Sequence, residues 1–403
     1  MQLSADRRDA PFDVLIIGGG NAGLSAAARL LRRGVTDVAV IESQSVHTYR
    51  PLLSYVGSGQ ASMHSAERTQ RSVTPQGCTW IRDSALAVDA DTKTVRCASG
   101  KVYRYRDLVL ANGLVPDHDA LAGIDAALDT PAVASNYLNQ AEKTWALVQS
   151  MPAGGRAVFT VPRPPVSCTG TTLKPLFLAA AHWKQAGRLA DKEITLVIDR
   201  EGFLGVPALD DRLRGHLDEL NVQVMHQTAV TAVDPGRRRL SVQTSNEAAQ
   251  QLSYDMLHLV PPFCGPGWVA LSGLAAPAGH GLVDIDPRTF RHRFFPDIWA
   301  AGDGAAVETD PSGGALRRQI AILVDNVLAA RTGGSFTEYD GYTVAPIATA
   351  THELIAGEFD RTGALSSSLP RFVDSLKPRR TAWAFDRYGL PQIYWKRILR
   401  GRL

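Results

Sequence analysis

The chain reads as an α/β protein with two doubly wound, Rossmann-like sheets, and three observations predict it. Near the N-terminus an apolar run breaks into glycines and continues as an alanine-rich segment. Between Arg156 and Met225, short apolar runs alternate with longer amphipathic ones. Late in the chain the stretch Thr289 to Asp303 carries a further apolar run that ends in Gly302-Asp303.

Asp13-Val14-Leu15-Ile16-Ile17 followed by Gly18-Gly19-Gly20-Asn21-Ala22-Gly23 predicts strand, phosphate loop and helix. Gly18 supplies the tight turn, Gly20 lets the backbone approach a pyrophosphate, and Gly23 lets the helix pack closely on the strand. The free N–H groups at the helix start, around Asn21 and Ala22, then face the phosphates with the positive end of the helix dipole. That helix spans Ala22 to Arg33 and is closed by Gly34, and the next strand, Asp37 to Ile41, ends in Glu42. The acid falls where a dinucleotide-binding protein holds the adenosine ribose hydroxyls. A glycine triplet alone is a weak signal, but strand, loop, helix, strand and acid in this order form a strong one.

The length of 403 residues and 45% hydrophobic content allow two or three domains with full cores. The net charge of +3 conceals an uneven distribution: from Lys377 onward eight Lys and Arg residues face one acid, Asp386. A basic tail on an acidic body argues against general nucleic-acid binding and for a local anionic partner such as a lipid surface. No apolar run is long enough to span a membrane. The residues before the first strand hold Asp6, Arg7, Arg8 and Asp9, unlike a signal peptide. Cys78, Cys97, Cys168 and Cys264 lack CxxC spacing, so neither zinc nor a disulfide framework is expected and the compartment reads as reducing. His352-Glu353 opens like a zinc-protease helix, but Ala356 stands where the second histidine belongs, so no metal is expected.

Further along, the strand Tyr105 to Leu110 ends in Ala111-Asn112-Gly113, where small residues let the backbone pass close to something flat or charged. A second unit follows, with strand Ala157 to Val161, helix Leu173 to Ala186, strand Glu193 to Asp199, amphipathic Leu209 to Leu220, and strand Val222 to Met225. Its first strand leads into Pro162-Arg163-Pro164-Pro165 and not into a glycine loop. Prolines lack amide donors, so no second dinucleotide is expected there. Gly302-Asp303 then returns to the first unit, with Asp303 in reach of a ribityl chain and a helix near Gly313 to Ala330 pointing its N-terminus at the flavin or its phosphate. Taken with the glycine loop, this makes FAD the leading cofactor. No cysteine stands between Asn112 and Gln140 to tether it, so FAD is expected to be noncovalent. The expected domains are 1–120 (FAD-binding, first part), 121–280 (second Rossmann-like domain), 281–335 (FAD-binding, second part) and 336–403 (C-terminal region).

Cys168 falls at the C-terminal end of a parallel strand, where open α/β sheets place ligands. A helix start and Lys174 lie close in sequence, and both favour thiolate over thiol. A small buried core residue is the competing reading.

Several segments resemble the type II sulfide:quinone oxidoreductases: His47-Thr48-Tyr49-Arg50-Pro51, Ser135-Asn136-Tyr137, Glu142-Lys143-Thr144-Trp145, Pro165-Val166-Ser167-Cys168-Thr169-Gly170, Tyr339-Asp340-Gly341-Tyr342 and Leu390-Pro391-Gln392-Ile393-Tyr394-Trp395. The resemblance implies an FAD enzyme with two dinucleotide-type domains and a membrane-associating C-terminal segment. It implies oxidation of sulfide, or a small thiol or persulfide, at Cys168 and transfer of two electrons through FAD to a membrane quinone. The resemblance also implies a second redox cysteine, in some members right after Gly-Asp; here that position is Gly304, and Cys264 is the candidate substitute. FAD would be held by Gly18, Gly20, Asn21, Ala22, Gly23, Glu42, Ala111, Gly113, Gly302 and Asp303. Trp383, Phe385, Tyr388, Leu390, Ile393, Tyr394, Trp395, Ile398 and Leu399 interleave with the tail's basic residues, which suits a helix lying in an anionic lipid interface. The expected location is peripheral, on the cytoplasmic side of a bacterial cell membrane, with a homo-oligomer left open. Rival readings are an NADH:quinone-type flavoprotein and a flavin-bound redox sensor or scaffold.

Overall fold

The computed structural model describes residues 10–245, 247–277, 279–366 and 374–403, so Asp6, Arg7, Arg8 and Asp9 lie outside the described residues. The first sheet contains β1 (Phe12–Ile17), β2 (Val38–Ile41), β3 (Cys78–Ile81), β4 (Ala85–Asp89), β5 (Thr94–Cys97) and β6 (Val102–Leu110), in spatial order β3-β2-β1-β6-β5-β4. Helix α1 (Asn21–Arg32) crosses from β1 to β2, and both pairings of β1 are parallel, with Ile17 opposite Ile41 on one side and Leu110 on the other. The order therefore reverses at β1, and the crevice beyond its C-terminal end is the topological switch point where such sheets bind ligands. The chain returns to this sheet at β12 (Ile298–Ala300), which pairs parallel with β6.

The second sheet is wholly parallel, in order β7 (Val133–Ala134), β11 (Met256–His258), β8 (Arg156–Val161), β9 (Glu193–Ile198) and β10 (Val222–Met225). Helices α2 (Thr169–Gln185) and α3 (Pro207–Glu219) make the crossovers from β8 to β9 and from β9 to β10. The strands are continuous Val/Ile/Leu/Phe runs because both faces are covered. Ala157, Phe159, Val161, Leu196 and Ile198 form one core with Phe177 and Trp183 of α2. The order again reverses at β8, so the residues after it stand at a second switch point.

After the long helix α4 (Gly313–Thr332), the hairpin β13 (Thr343–Ala350) and β14 (Glu353–Phe359) packs Ala345, Ile347, Ile355 and Phe359 into the second core. A Cβ on Gly170 would stand 3.1 Å from Ala345 Cβ, so glycine there lets the hairpin lie against the first turn of α2. The C-terminal segment ends in α5 (Leu390–Lys396) and folds back onto the first domain, where Tyr394, Ile398 and Leu399 join Leu24, Tyr49, Leu52, Leu53 and Tyr55 in a shared core. No helix among the described residues is long and apolar enough to cross a membrane.

Candidate active site: a cysteine across from a glycine cradle

The glycine loop has the geometry its spacing predicts. Gly18 has φ +103°, and a Cβ there would stand 2.2 Å from the Ala111 carbonyl oxygen, so the end of β6 lies directly against the loop. A Cβ on Gly23 would stand 1.8 Å from the Gly18 carbonyl, which is the close helix–strand packing that position demands. Gly20 faces open space. Glu42 Oε2 accepts from the Gly19 amide at 2.8 Å and Oε1 from the Gln44 amide at 2.7 Å, which holds the acid across the loop. The Gly19 carbonyl accepts from Gln70 Nε2 at 3.0 Å, and His47 Nδ1 lies 3.1 Å from it.

On the other side of the crevice, Gly302 (φ +83°) lets the chain turn after β12, and its amide donates to Gln319 Oε1 of α4 at 3.2 Å. Ser312 caps α4 by accepting from Ala315 N. Gly302, Asp303, Ser312 and Gln319 line a small cavity at that helix start. Asp303 is held by the Ser167 hydroxyl and the field of Arg50, yet burial outweighs both and raises its carboxyl above the usual range. Asn112 Oδ1 is buried without a partner. An open glycine cradle, an acid across it, a helix N-terminus and an unsatisfied acceptor together fit FAD.

Cys168 is the N-cap of α2, with φ +54°. The helix starts at Thr169, ahead of the apolar onset at Leu173 that sequence pattern marks, because a distant carboxylate supplies its cap. Asp310 accepts from Thr169 N at 3.2 Å and from Thr169 Oγ1. Arg200 donates to Thr169 Oγ1 at 3.0 Å and to the Pro162 carbonyl at 3.1 Å, and its Nη2 is buried with no acceptor. Tyr137 OH bonds the carbonyls of Ser167 (3.0 Å) and Cys168 (3.2 Å), while Arg50 donates to the Tyr137 carbonyl. A non-glycine residue in the left-handed region persists only when its surroundings over-determine it, and such residues cluster at functional sites.

The ionisation of Cys168 runs against the sequence expectation. Burial first, and then the charge of Asp310, push its thiol up to about 11, although Thr171 Oγ1 donates to the sulfur at 3.2 Å and Lys174 opposes the rise. Lys174 is already engaged: fully buried, it bonds Asp386 at 3.0 Å. Asp310 itself is raised to about 6, again by burial, with Thr169 and Arg200 opposing.

The second-cysteine positions are equally specific. A Cβ on Gly304 would stand 2.6 Å from both Asn112 Nδ2 and the Gly113 carbonyl, so this backbone leaves no room for a side chain. Cys264 pairs in register with Val115 in a two-stranded ladder, and its neighbour Phe263 packs on Tyr137 at 6.1 Å between ring centroids. All four cysteines are free thiols. Gly113 (φ +63°) faces open space.

Residues 12–151 match the family described as pyridine nucleotide-disulphide oxidoreductase. Over 395 residues the chain is 30% identical to the mitochondrial sulfide:quinone oxidoreductase of Mus musculus, covering 97% of this chain and 87% of the relative. The chain belongs to the sulfide:quinone oxidoreductase family. The mitochondrial sulfide:quinone oxidoreductase of Dictyostelium discoideum is also 30% identical, over 96% of this chain and 86% of its own length. Membership makes the chain an FAD-dependent oxidoreductase. The fold is shared with the sulfide:quinone oxidoreductase of Aquifex aeolicus (TM-score 0.80, 19% identity, 96% and 91% of the two chains). A chain of the Tetrahymena thermophila mitochondrial ATP synthase also shares it (TM-score 0.85, 19% identity, 100% and 99%).

Sequence reasoning missed Asp310, Arg200 and the roles of Lys174 and Asp386. A carboxylate two residues before a Ser-Gly helix start, and a basic residue directly after an acid-ended strand, were the available signals. The tail, expected to lie in an anionic lipid interface, packs most of its apolar residues on the protein itself. Tyr394 is buried with its OH 2.6 Å from His47 Nε2, Trp383 Nε1 donates to Gln60 at 3.2 Å, and Asp386 is tied to Lys174 and Tyr55. Of the nine apolar residues marked there, only Phe385 and Tyr388 are exposed, at 53% and 57%.

Proposed function

We propose that this family member oxidises sulfide, or a small thiol, at Cys168 and delivers the electrons to a membrane quinone. The observation that carries the reading is the position of Cys168: it caps a helix at the second switch point, next to Ser167, whose hydroxyl holds Asp303 at the end of the first sheet. The cradle residues Gly18, Gly20, Asn21, Ala22 and Gly23 would take the pyrophosphate of FAD, Glu42 the ribose, and Ala111, Gly113, Gly302 and Asp303 the flavin side. Bound FAD would supply the oxidant for joining the Cys168 thiolate to hydrosulfide, a step that forms one S–S bond and releases one proton and two electrons.

The protein's own part is to set the state of the sulfur. Burial and Asp310 keep Cys168 protonated at rest, so a thiolate forms only when its proton is taken up. Thr171 Oγ1 then donates to the sulfur and stabilises the anion. The unpartnered Nη2 of Arg200 offers a donor for an incoming hydrosulfide anion. Cys264 takes no step in this reading. The exposed Phe385 and Tyr388, with the exposed Lys396, Arg397 and Arg400, form the membrane- and quinone-facing side of the tail.

Anaerobic titration of the FAD-loaded protein tests the reading. Sulfide should bleach the flavin and a soluble quinone should restore its colour, while NADH should leave it oxidised. Bleaching by NADH and not by sulfide would replace this function with NADH:quinone chemistry. Failure of both donors would favour a redox sensor or scaffold.

A further inference from the structure

The end of α1 and the C-terminal turn border an open basic groove separate from the crevice. It has a volume of about 320 Å³ and is lined by Arg29, Arg32, Arg33, Gly401, Arg402 and Leu403. Two segments from opposite ends of the chain build it, and they fit tightly. Gly401 has φ +63°, and a Cβ there would stand 2.8 Å from the backbone of Ala28 and Arg29, so glycine lets the tail lie on the helix. Leu399, two residues before it, is buried in the core shared with Leu24.

Four guanidinium groups thus converge where the dipole of α1 absorbs only part of their charge. Asp325 bonds Arg33 and lies 4.0 Å from Arg29 Nη2. Among the described residues, the side chains of Arg32 and Arg402 have no hydrogen-bond or ion-pair partner, and Arg29 Nε is buried without an acceptor. The unpaired guanidinium forks of Arg32 and Arg402 border the same groove, and such forks match the oxygens of a phosphate and bind them in parallel pairs of hydrogen bonds. The buried, unpartnered Arg29 Nε sets this groove apart from a surface that uses arginine only for solubility.

We propose that this groove binds a phosphate group, presented either by a free phosphorylated ligand or by the headgroup of an anionic lipid. It lies outside the crevice and requires nothing of the reaction at Cys168.

The test uses the FAD-loaded protein and the double variant Arg32→Ala/Arg402→Ala, which removes two exposed side chains. Calorimetric titration with inorganic phosphate and with glycerol phosphate reads the free ligand. Co-sedimentation with phosphatidylcholine vesicles, with and without phosphatidylglycerol, reads the headgroup. At least one arm should show saturable binding that weakens about thirtyfold in the double variant, roughly fivefold for each charge removed. Loss confined to the vesicle arm identifies a lipid headgroup, and loss in the soluble arm identifies a free phosphate ligand. No saturable binding in either arm, or binding unchanged in the double variant, overturns the proposal. An unchanged melting temperature shows that the variant is folded, and flavin reduction by sulfide, which the variant should retain, separates failure here from failure of the proposed function.

Discussion

Replacing Asp386 by asparagine should destabilise the protein far more than a tail substitution ordinarily would. Lys174 is 0% exposed and Asp386 5% exposed, their charged groups are 3.0 Å apart, and Tyr55 OH donates to the same carboxylate at 2.7 Å. The pair joins the helix that carries Cys168 to the C-terminal segment. The asparagine side chain would keep an acceptor for Tyr55 but leave the Lys174 ammonium buried without a counter-charge, and stranding one member of a buried pair costs about 3–5 kcal/mol. For a protein of 403 residues that is a fall in melting temperature of roughly 4–6 °C, read by thermal melts of the FAD-loaded protein. Adding Lys174→Met removes the stranded charge, so the double variant should recover at least half of the loss. A single-variant cost below about 1 kcal/mol, the level of an exposed pair, would refute the claim that this ion pair docks the tail.

Asp310→Asn should lower the pH midpoint for iodoacetamide alkylation of Cys168, because the neighbouring charge that helps hold the thiol near 11 is removed; a shift of about one unit gives about tenfold faster alkylation at pH 8, and an unchanged or raised midpoint by mass spectrometry would count against it. Gly304→Cys should lower stability by about 1–3 kcal/mol, since the new Cβ meets the Gly113 carbonyl at 2.6 Å; an unchanged melting temperature would show that the site has room for a cysteine after all. Phe385→Ala/Tyr388→Ala should reduce co-sedimentation with anionic vesicles while leaving the melt within about 0.5 kcal/mol of the parent, as both side chains are exposed, and undiminished vesicle binding would remove them from the membrane-facing side.

The parts of the fold that depend on local pattern were legible. The turn at Gly18, the packing at Gly23, the acid at Glu42 and the parallel runs of the second unit each follow from spacing that neighbouring residues enforce. Long-range pairings were not legible. Helix α2 begins at Thr169 because Asp310, 141 residues later, accepts its amide. The thiolate expected of Cys168 rested on a helix start and Lys174, both local, whereas Asp386 from the tail engages the lysine and Asp310 adds an opposing charge. The basic, aromatic character of the tail was plain in sequence, but its docking depends on Tyr394 meeting His47 and Asp386 meeting Lys174, contacts that span most of the chain. Of the small residues after β6, Gly113 faces open space and Ala111 lies against a neighbouring loop. At Ala111 the partner is the Gly18 backbone.

Rapid-mixing reduction of the flavin by sulfide, compared between the parent protein and Cys168→Ser, tests the central claim most directly. With Cys168 as the nucleophile, the parent should bleach and the serine variant should be slower by about a thousandfold or more, with FAD content unchanged because Cys168 is not among the cradle residues. Equal rates in the two proteins would contradict the assignment of the chemistry to Cys168.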